Sequence, residues 1–304
     1  MRIVVALGGN ALSVRGEALT AEGQRKSIRV AAKSIAQLLE AGHEVVITHG
    51  NGPQVGYLAL QASPFPLDVL GAKTDGMIGY VLQQELDNAY LPEARYATLL
   101  TQIEVDPADP AFQAPTKFIG PIYTEEAASK LSLERGWTIG QDGEHFRRTV
   151  PSPRPKRILE IDVIRLLLDQ GVVVICAGGG GIPVVQKDDG TMTGIEAVID
   201  KDHASGLLAR SLDADAFVML TDVEGVFADW GTPKQRLIDH ATPSELGAMD
   251  FPAGSMGPKV EAACAFADAA GKFAAIGRLE DTAKLVAGTS GTRVSLDRHP
   301  PPRA

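Results

Sequence analysis

Residues 3–10 read IVVALGGN, an apolar run of strand length that stops at two glycines. Two further stretches repeat the pattern, VVITHGNG at 45–52 and VVVICAGGGG at 172–181, and a fourth glycine segment, GSMGPK at 254–259, carries a lysine. Glycine lets a backbone pass close to phosphate oxygens and present its N–H groups, and a following helix adds the positive end of its dipole. One such loop is a weak signal. Three on separate strands, joined by a lysine-bearing fourth, imply a site that holds two phosphorylated molecules at once, and hence phosphoryl transfer.

Outward from these runs, strand signals recur at 97–103, 216–221 and 273–276, with 293–296 as a candidate last edge strand. Helical periodicity falls between them at 26–40, 76–89, 158–169, 196–212 and 258–270. Alternation of this kind predicts an α/β fold of three layers, an open and mostly parallel sheet with helices on both faces. Ligands of such sheets sit at the carboxyl ends of the strands, where the glycine loops fall. Residues 106–155 break the pattern with seven prolines and short apolar pieces, which predicts an inserted flap or small subdomain rather than a linker.

At 304 residues, with 44% apolar and 22% charged residues, the chain is an ordinary globular one that can bury a sizeable core. Its net charge of -9 argues against nucleic acid or an anionic membrane as the main partner. The start, MRIVVALGGN, breaks too early for a signal peptide, and no later run is long enough to span a membrane, so a cytoplasmic protein is expected. Cys176 and Cys264 sit among apolar or alanine neighbours and read as buried free thiols.

The loop at Gly8, Gly9 and Asn10 adds a short amide that can donate to an oxygen between two bound molecules. His49-Gly50-Asn51-Gly52-Pro53 repeats the geometry, with Pro53 suited to a first helical turn and His49 read as a structural histidine before a base. Lys117, Lys201 and Lys259 each lie beside turn chemistry, and positive charges spanning the bridging oxygens carry phosphoryl transfer. Asp202 holds Lys201 and its neighbour, or faces water as a helix-start residue. The run 147–157 places five basic residues in eleven, read as a solvated loop or an anion-facing hinge. HExxH, paired CxxC, GxSxG and the Walker pattern GxxxxGK with Ser or Thr are all absent, which removes metal hydrolases, serine esterases and ordinary P-loop NTPases.

The motifs together resemble the carbamate kinases of the amino acid kinase superfamily. The matching segments are ALGGNAL at 6–12, THGNGPQVG at 48–56, PLDVLGAKTDGMIGY at 66–80, LTQIEVDPADPAF at 100–112, PTKFIGPIYT at 115–124, RRTVPSPRP at 147–155, ICAGGGGIPV at 175–184, GIEAVIDKD at 194–202 and GSMGPKVEAA at 254–263. The resemblance implies reversible phosphoryl transfer between ATP and carbamate, run mainly from carbamoyl phosphate and ADP toward ATP, with magnesium accompanying the nucleotide and no metal held by protein side chains. It implies an N-terminal lobe, 1–155, for carbamoyl phosphate, which includes a protruding subdomain at about 106–155, and a C-terminal nucleotide lobe, 156–304. It also implies a homodimer, and the apolar run at Met77, Ile78, Tyr80, Val81 and Leu82 is the candidate contact.

By residue-wise transfer, Lys117, Lys201, Asp202 and Lys259 are the catalytic candidates. Backbone groups of Gly8, Gly9, Asn10, Gly50, Asn51 and Gly52 are candidates for carbamoyl phosphate. Gly178, Gly179, Thr221, Asp222, Val226 and Phe227, with Lys201 and Lys259, are candidates for the nucleotide. Related kinases carry a first-strand lysine where this chain reads Val5-Ala6-Leu7, and Lys117 stands in for that charge. Two positions depart from the pattern: Phe118 where proline is common, and Phe227 where tyrosine is common. The competing readings are a related acylphosphate-forming kinase, a nucleotide sensor that lost catalysis and, remotely, a dinucleotide dehydrogenase. The retained lysines and Asp202 speak against the sensor, and the missing GxGxxG against the dehydrogenase.

Overall fold

The computed structural model describes residues 1–9, 12, 20–60, 65–90, 94–252 and 254–297. Its eight-stranded central sheet is ordered His240–Ala241, Thr292–Val294, Phe273–Arg278, Ala216–Thr221, Arg2–Leu7, Glu44–His49, Val172–Ile175 and Arg95–Thr98. From Phe273–Arg278 to Arg95–Thr98 every neighbouring pair is parallel. Thr292–Val294 runs antiparallel to that block, and His240–Ala241 pairs outside it. The expected last strand is therefore one place in from the edge.

Side chains of a strand alternate between faces, so Arg2–Leu7 serves two cores. Val4 and Ala6 pack with Ile164, Leu168, Leu208, Val260 and Phe266. Ile3, Val5 and Leu7 pack with Ile28, Ile35, Ile78, Leu82 and Leu285. Helices Ile161–Asp169, Lys201–Ser211 and Met256–Ala270 thus cover one face, and Ala21–Glu40, Leu67–Ala89 and Thr282–Ala287 the other, the three-layer arrangement the pattern predicts. Burial on both faces is why these strands read as unbroken apolar runs. Among the described residues no helix is long and apolar enough to cross a membrane.

Several boundaries differ from expectation for identifiable reasons. The run at 97–103 is two strands, Arg95–Thr98 in the central sheet and Gln102–Val105 in a second sheet with Ile182–Gln186, Met192–Gly194 and Pro155–Ile158. The chain switches sheets at Thr101, whose carbonyl accepts the Ile182 N–H at 2.8 Å while its hydroxyl accepts the Ala177 N–H at 2.9 Å. Helix Leu67–Ala89 begins nine residues before the expected start, because Gly71, Gly76 and Gly79 mask its periodicity. Gly79 is there for contact: a methyl group on it would lie 2.3 Å from Thr98 Cγ2. The helix expected over 196–212 spans only Lys201–Ser211, started by the Asp200 side chain, which accepts the N–H groups of Asp202 and His203.

Residues 106–155 carry a three-stranded antiparallel sheet of Lys117–Tyr123, His145–Val150 and Thr138–Asp142. They also carry helix Glu125–Arg135, capped by Thr124 and ended by Gly136 in the left-handed region at φ 64. This unit seats on helix Gly52–Leu60 through Val55, Ile119 and Val150. At the contact the two backbones nearly touch, since a methyl group on Gly56 would lie 2.0 Å from Gly120 Cα. Gly56→Ala is expected to push the sheet off the helix and cost about 1–3 kcal/mol, read as a lower urea midpoint with earlier proteolysis within 106–155. An unchanged midpoint would show that the two elements part freely.

Candidate active site

The glycine loops interlock at the carboxyl ends of the central strands. The Gly8 N–H donates to the Leu220 carbonyl at 3.0 Å, and the Gly50 N–H to the Leu7 carbonyl at 3.0 Å. A methyl group on Gly50 would lie 3.2 Å from the Gly9 nitrogen, so the first two loops lie directly side by side. Gly52 opens helix Gly52–Leu60, and the Asn51 carbonyl accepts from Val55 at 2.9 Å in its first turn. The Asn51 amide donates to Thr74 Oγ1 at 2.7 Å.

The third loop closes over these two. A methyl group on Gly178 would stand 2.6 Å from the His49 imidazole, and one on Gly179 would stand 2.0 Å from the Asn51 amide. Gly179, Gly180 and Gly181 all have positive φ, and so does Ala177 at φ 49, a costly conformation for a residue with a side chain. Gly178 and Gly179 therefore meet His49, read from sequence as structural, and Asn51, assigned from sequence to the opposite substrate. Asn10 lies outside the described residues.

Lys201, Asp202 and Lys259 come together. One oxygen of Asp202 accepts from Lys201 Nζ at 2.6 Å and the other from Lys259 Nζ at 3.0 Å. Lys201 is 8% exposed and Asp202 4% exposed, which settles the sequence alternative for Asp202: it is a buried counter-ion, and Asp200 is the helix-start residue. Burial pulls the Asp202 carboxyl upward, yet Lys201 and Lys259 hold it below the usual carboxylate range. Burial lowers the Lys201 ammonium against the pull of Asp202, with the Lys259 charge adding to the lowering. For Lys259 burial is outweighed by Asp202 and the net direction is upward.

Lys117 reaches this cluster through Asp200, to which its ammonium is bonded. The proline-rich unit is thereby tied to the start of helix Lys201–Ser211. The basic run is paired with neighbouring groups, and Arg154, Lys156 and Arg157 stay more than half exposed, in line with the solvated reading. Arg147 donates to the Gly120 carbonyl and Asp142, Arg148 lies over the Trp137 ring, Arg154 bridges His203 and Glu261, and Lys156 and Arg157 meet Asp106 and Glu104. Phe118 sits under the Arg147 guanidinium, 5.6 Å from ring centroid to charge.

Thr221 ends the strand beside Arg2–Leu7 and donates to Asp222 Oδ1 at 3.1 Å, while the Asp222 charge acts on Lys259. Phe227 is half-buried against Trp230, with ring centroids 5.2 Å apart. Val226 is fully buried in the core with its N–H taken by Thr292 Oγ1, so its side chain faces inward. His49 is neutral, lowered to about 4 by burial, with Nδ1 against the Gly50 carbonyl at 3.1 Å, consistent with its structural reading. Cys176 is buried and free, its thiol pushed up by burial; Cys264 is half-buried and pushed up to about 11 by burial. Neither thiol is activated.

Three residues escaped sequence reading: Asp200, Thr74 and Asp75. Asp200 had a local signal, an aspartate at a helix start. Thr74 and Asp75 lie mid-helix and had none. Asp202→Asn is expected to leave burial and the Lys259 charge to act on Lys201 against Asp200 alone, so its ammonium loses a proton at lower pH than in the parent. Nitrogen-detected NMR titration of labelled lysine checks this, and an unmoved Lys201 titration would show that Asp202 does not hold it.

The model of the amino acid kinase family matches residues 1–276. A carbamate kinase of Haemophilus influenzae is 54% identical, with 97% of each chain covered. One from Pyrococcus furiosus is 45% identical over 96% of this chain and 98% of its own. The solved carbamate kinase from Giardia lamblia bound to AMP-PNP is 41% identical and superposes with a TM-score of 0.88 over 97% of this chain and 98% of its own. With interlocked glycine loops, two lysines on one buried aspartate and full-length likeness of this degree, the chain belongs to the amino acid kinase family, among its carbamate kinases.

Proposed function

We propose that the protein moves a phosphoryl group between carbamoyl phosphate and ADP, giving carbamate and ATP, and that it runs mainly in that direction. The observation that carries this reading is the pair of ammonium groups on Asp202, set where three glycine loops converge. In the transfer the bond from phosphorus to the carbamoyl oxygen breaks and one to the terminal ADP oxygen forms. Charge spreads over the equatorial phosphoryl oxygens, which Lys201 and Lys259 stabilise. Asp202 stays ionised and keeps the two cations at fixed spacing. Lys117 neutralises the carbamoyl oxygen as it becomes a leaving group, the role that the residues Val5-Ala6-Leu7 leave open on the first strand.

Residues 1–155 supply the carbamoyl phosphate side and 156–304 the nucleotide side, with Asp222 and Phe227 beside the nucleotide and the 106–155 unit over the acyl group. Asn51 and His49 against Gly178 and Gly179 support a seam between the two sides rather than a wide gap. Among the described residues no three His, Cys, Asp or Glu side chains are grouped to hold a metal ion. Magnesium belongs here to the nucleotide, as part of the substrate. The reading includes a cytoplasmic homodimer: Ile78 and Leu82 are buried within their own subunit, which leaves Met77, 40% exposed, and Tyr80, 60% exposed, to face a partner.

A coupled assay for ATP from ADP and carbamoyl phosphate tests the reaction directly. Lys201→Ala and Lys259→Ala are each expected to lower kcat by about a hundredfold or more with the fold intact. Near-parental kcat in both would remove them from the transition state. Lys117→Ala is expected to raise the KM for carbamoyl phosphate and lower kcat while calorimetric ADP affinity holds, and a fall in ADP affinity instead would reverse the two sides. Sedimentation at micromolar concentration is expected to give a dimer burying at least about 2,000 Å², against a monomer if Met77 and Tyr80 simply face water.

A further inference from the structure

Three buried polar atoms near the glycine loops have no hydrogen-bond partner. Asp75 is 3% exposed and Gln54 2% exposed. Among the described residues Asp75 Oδ1, Gln54 Oε1 and Gln54 Nε2 make no hydrogen bond. Buried polar groups are nearly always satisfied, so such atoms call for water or a ligand. Asp75 Oδ1 lies 2.8 Å from the point where a methyl group on Gly178 would stand, on the same glycine that meets His49. The preceding residue, Thr74, receives the Asn51 amide, which itself abuts Gly179. Gln54 lies in the first turn of the helix opened by Gly52, three residues beyond Asn51 and so about one turn along.

We propose that Asp75, with Gln54, reads the amino group of the carbamoyl substrate and sets its selectivity over acyl phosphates that carry a methyl group in that place. The inference rests on the phosphotransfer reading above and names how that site recognises its acyl group. Burial pushes the Asp75 carboxyl well above the usual range, so it is neutral and has both an O–H donor and a carbonyl acceptor. The Gln54 carboxamide has the same pair of functions. Neither adds negative charge beside a phosphate dianion. The carbamoyl N–H groups donate to the acceptors, whereas a methyl group leaves them buried and unpaired, the condition under which a hydrogen-bonding site rejects an analogue most strongly. Ordered water on the same atoms, or a purely structural part for Asp75 beneath Gly178, is the rival account.

The test measures ATP formation from ADP with carbamoyl phosphate and with acetyl phosphate, and takes the ratio of the two kcat/KM values. Asp75→Leu and Gln54→Met are expected to lower that ratio by about tenfold or more. Asp75→Asn, which keeps a donor and an acceptor, is expected to stay close to the parental ratio, with its melting temperature as a check on the fold. Equal losses with both donors, or a ratio unmoved in Asp75→Leu and Gln54→Met, overturn the proposal in favour of structural support or water. If Asp75→Leu does not fold, the Gln54→Met ratio decides alone. Wild-type protein that makes no ATP from carbamoyl phosphate overturns the reaction and this inference with it, while an active wild type with unmoved variants overturns the inference alone.

Discussion

One buried carboxylate holds two ammonium groups, and the site is organised around that constraint. Lys201 and Lys259 would repel each other in a dry interior; Asp202, with one oxygen for each, makes their closeness stable. Burying charge is costly unless it is paired and bonded, and this cluster is both. The arrangement requires helices Lys201–Ser211 and Met256–Ala270 to lie side by side, which the packing of Leu208, Val260 and Phe266 on one face of the central sheet provides. The cations are thus ordered before a phosphate arrives.

The glycine loops are governed by a related need. A backbone can offer N–H groups to an anion only where side chains do not intervene, and here the loops also press on one another. Gly178 against His49 and Gly179 against Asn51 leave no room for a Cβ, and Gly50 against Gly9 leaves only a tight fit. His49 and Asp75, both shifted by burial toward their neutral forms, stand against the same Gly178. A surface with a net charge of -9 can in this way enclose a site suited to phosphates.

The proline-rich unit joins this machinery through Lys117 to Asp200, Arg154 to His203 and Glu261, the Pro151 carbonyl to the Val198 N–H, Arg135 to the Leu60 carbonyl, and the apolar and backbone contact around Val55, Ile119, Gly56 and Gly120. Two of these ties, from Lys117 and Arg154, end on helix Lys201–Ser211 or its cap. Any displacement of the unit is therefore felt at the helix that carries Lys201 and Asp202. Rigid prolines on both sides of Arg154 keep that lever short.

What the sequence determined by itself was local. Unbroken apolar runs ending in glycine specify buried parallel strands and their loops, because both the run and its break lie within ten residues. Lys201 and Asp202 were legible as neighbours for the same reason, and so was Asp200 in principle, as an aspartate before a helix. Tertiary structure alone decided that Lys259 shares Asp202 from 57 residues away, that Gly178 and Gly179 rest on His49 and Asn51, and that 97–103 divides between two sheets. It also set Asp75 against Gly178 and Thr74 against Asn51, although both fall just before the helix expected over 76–89. These outcomes depend on which faces meet once two cores have formed, and a contact between residues distant along the chain leaves no periodic trace in either segment.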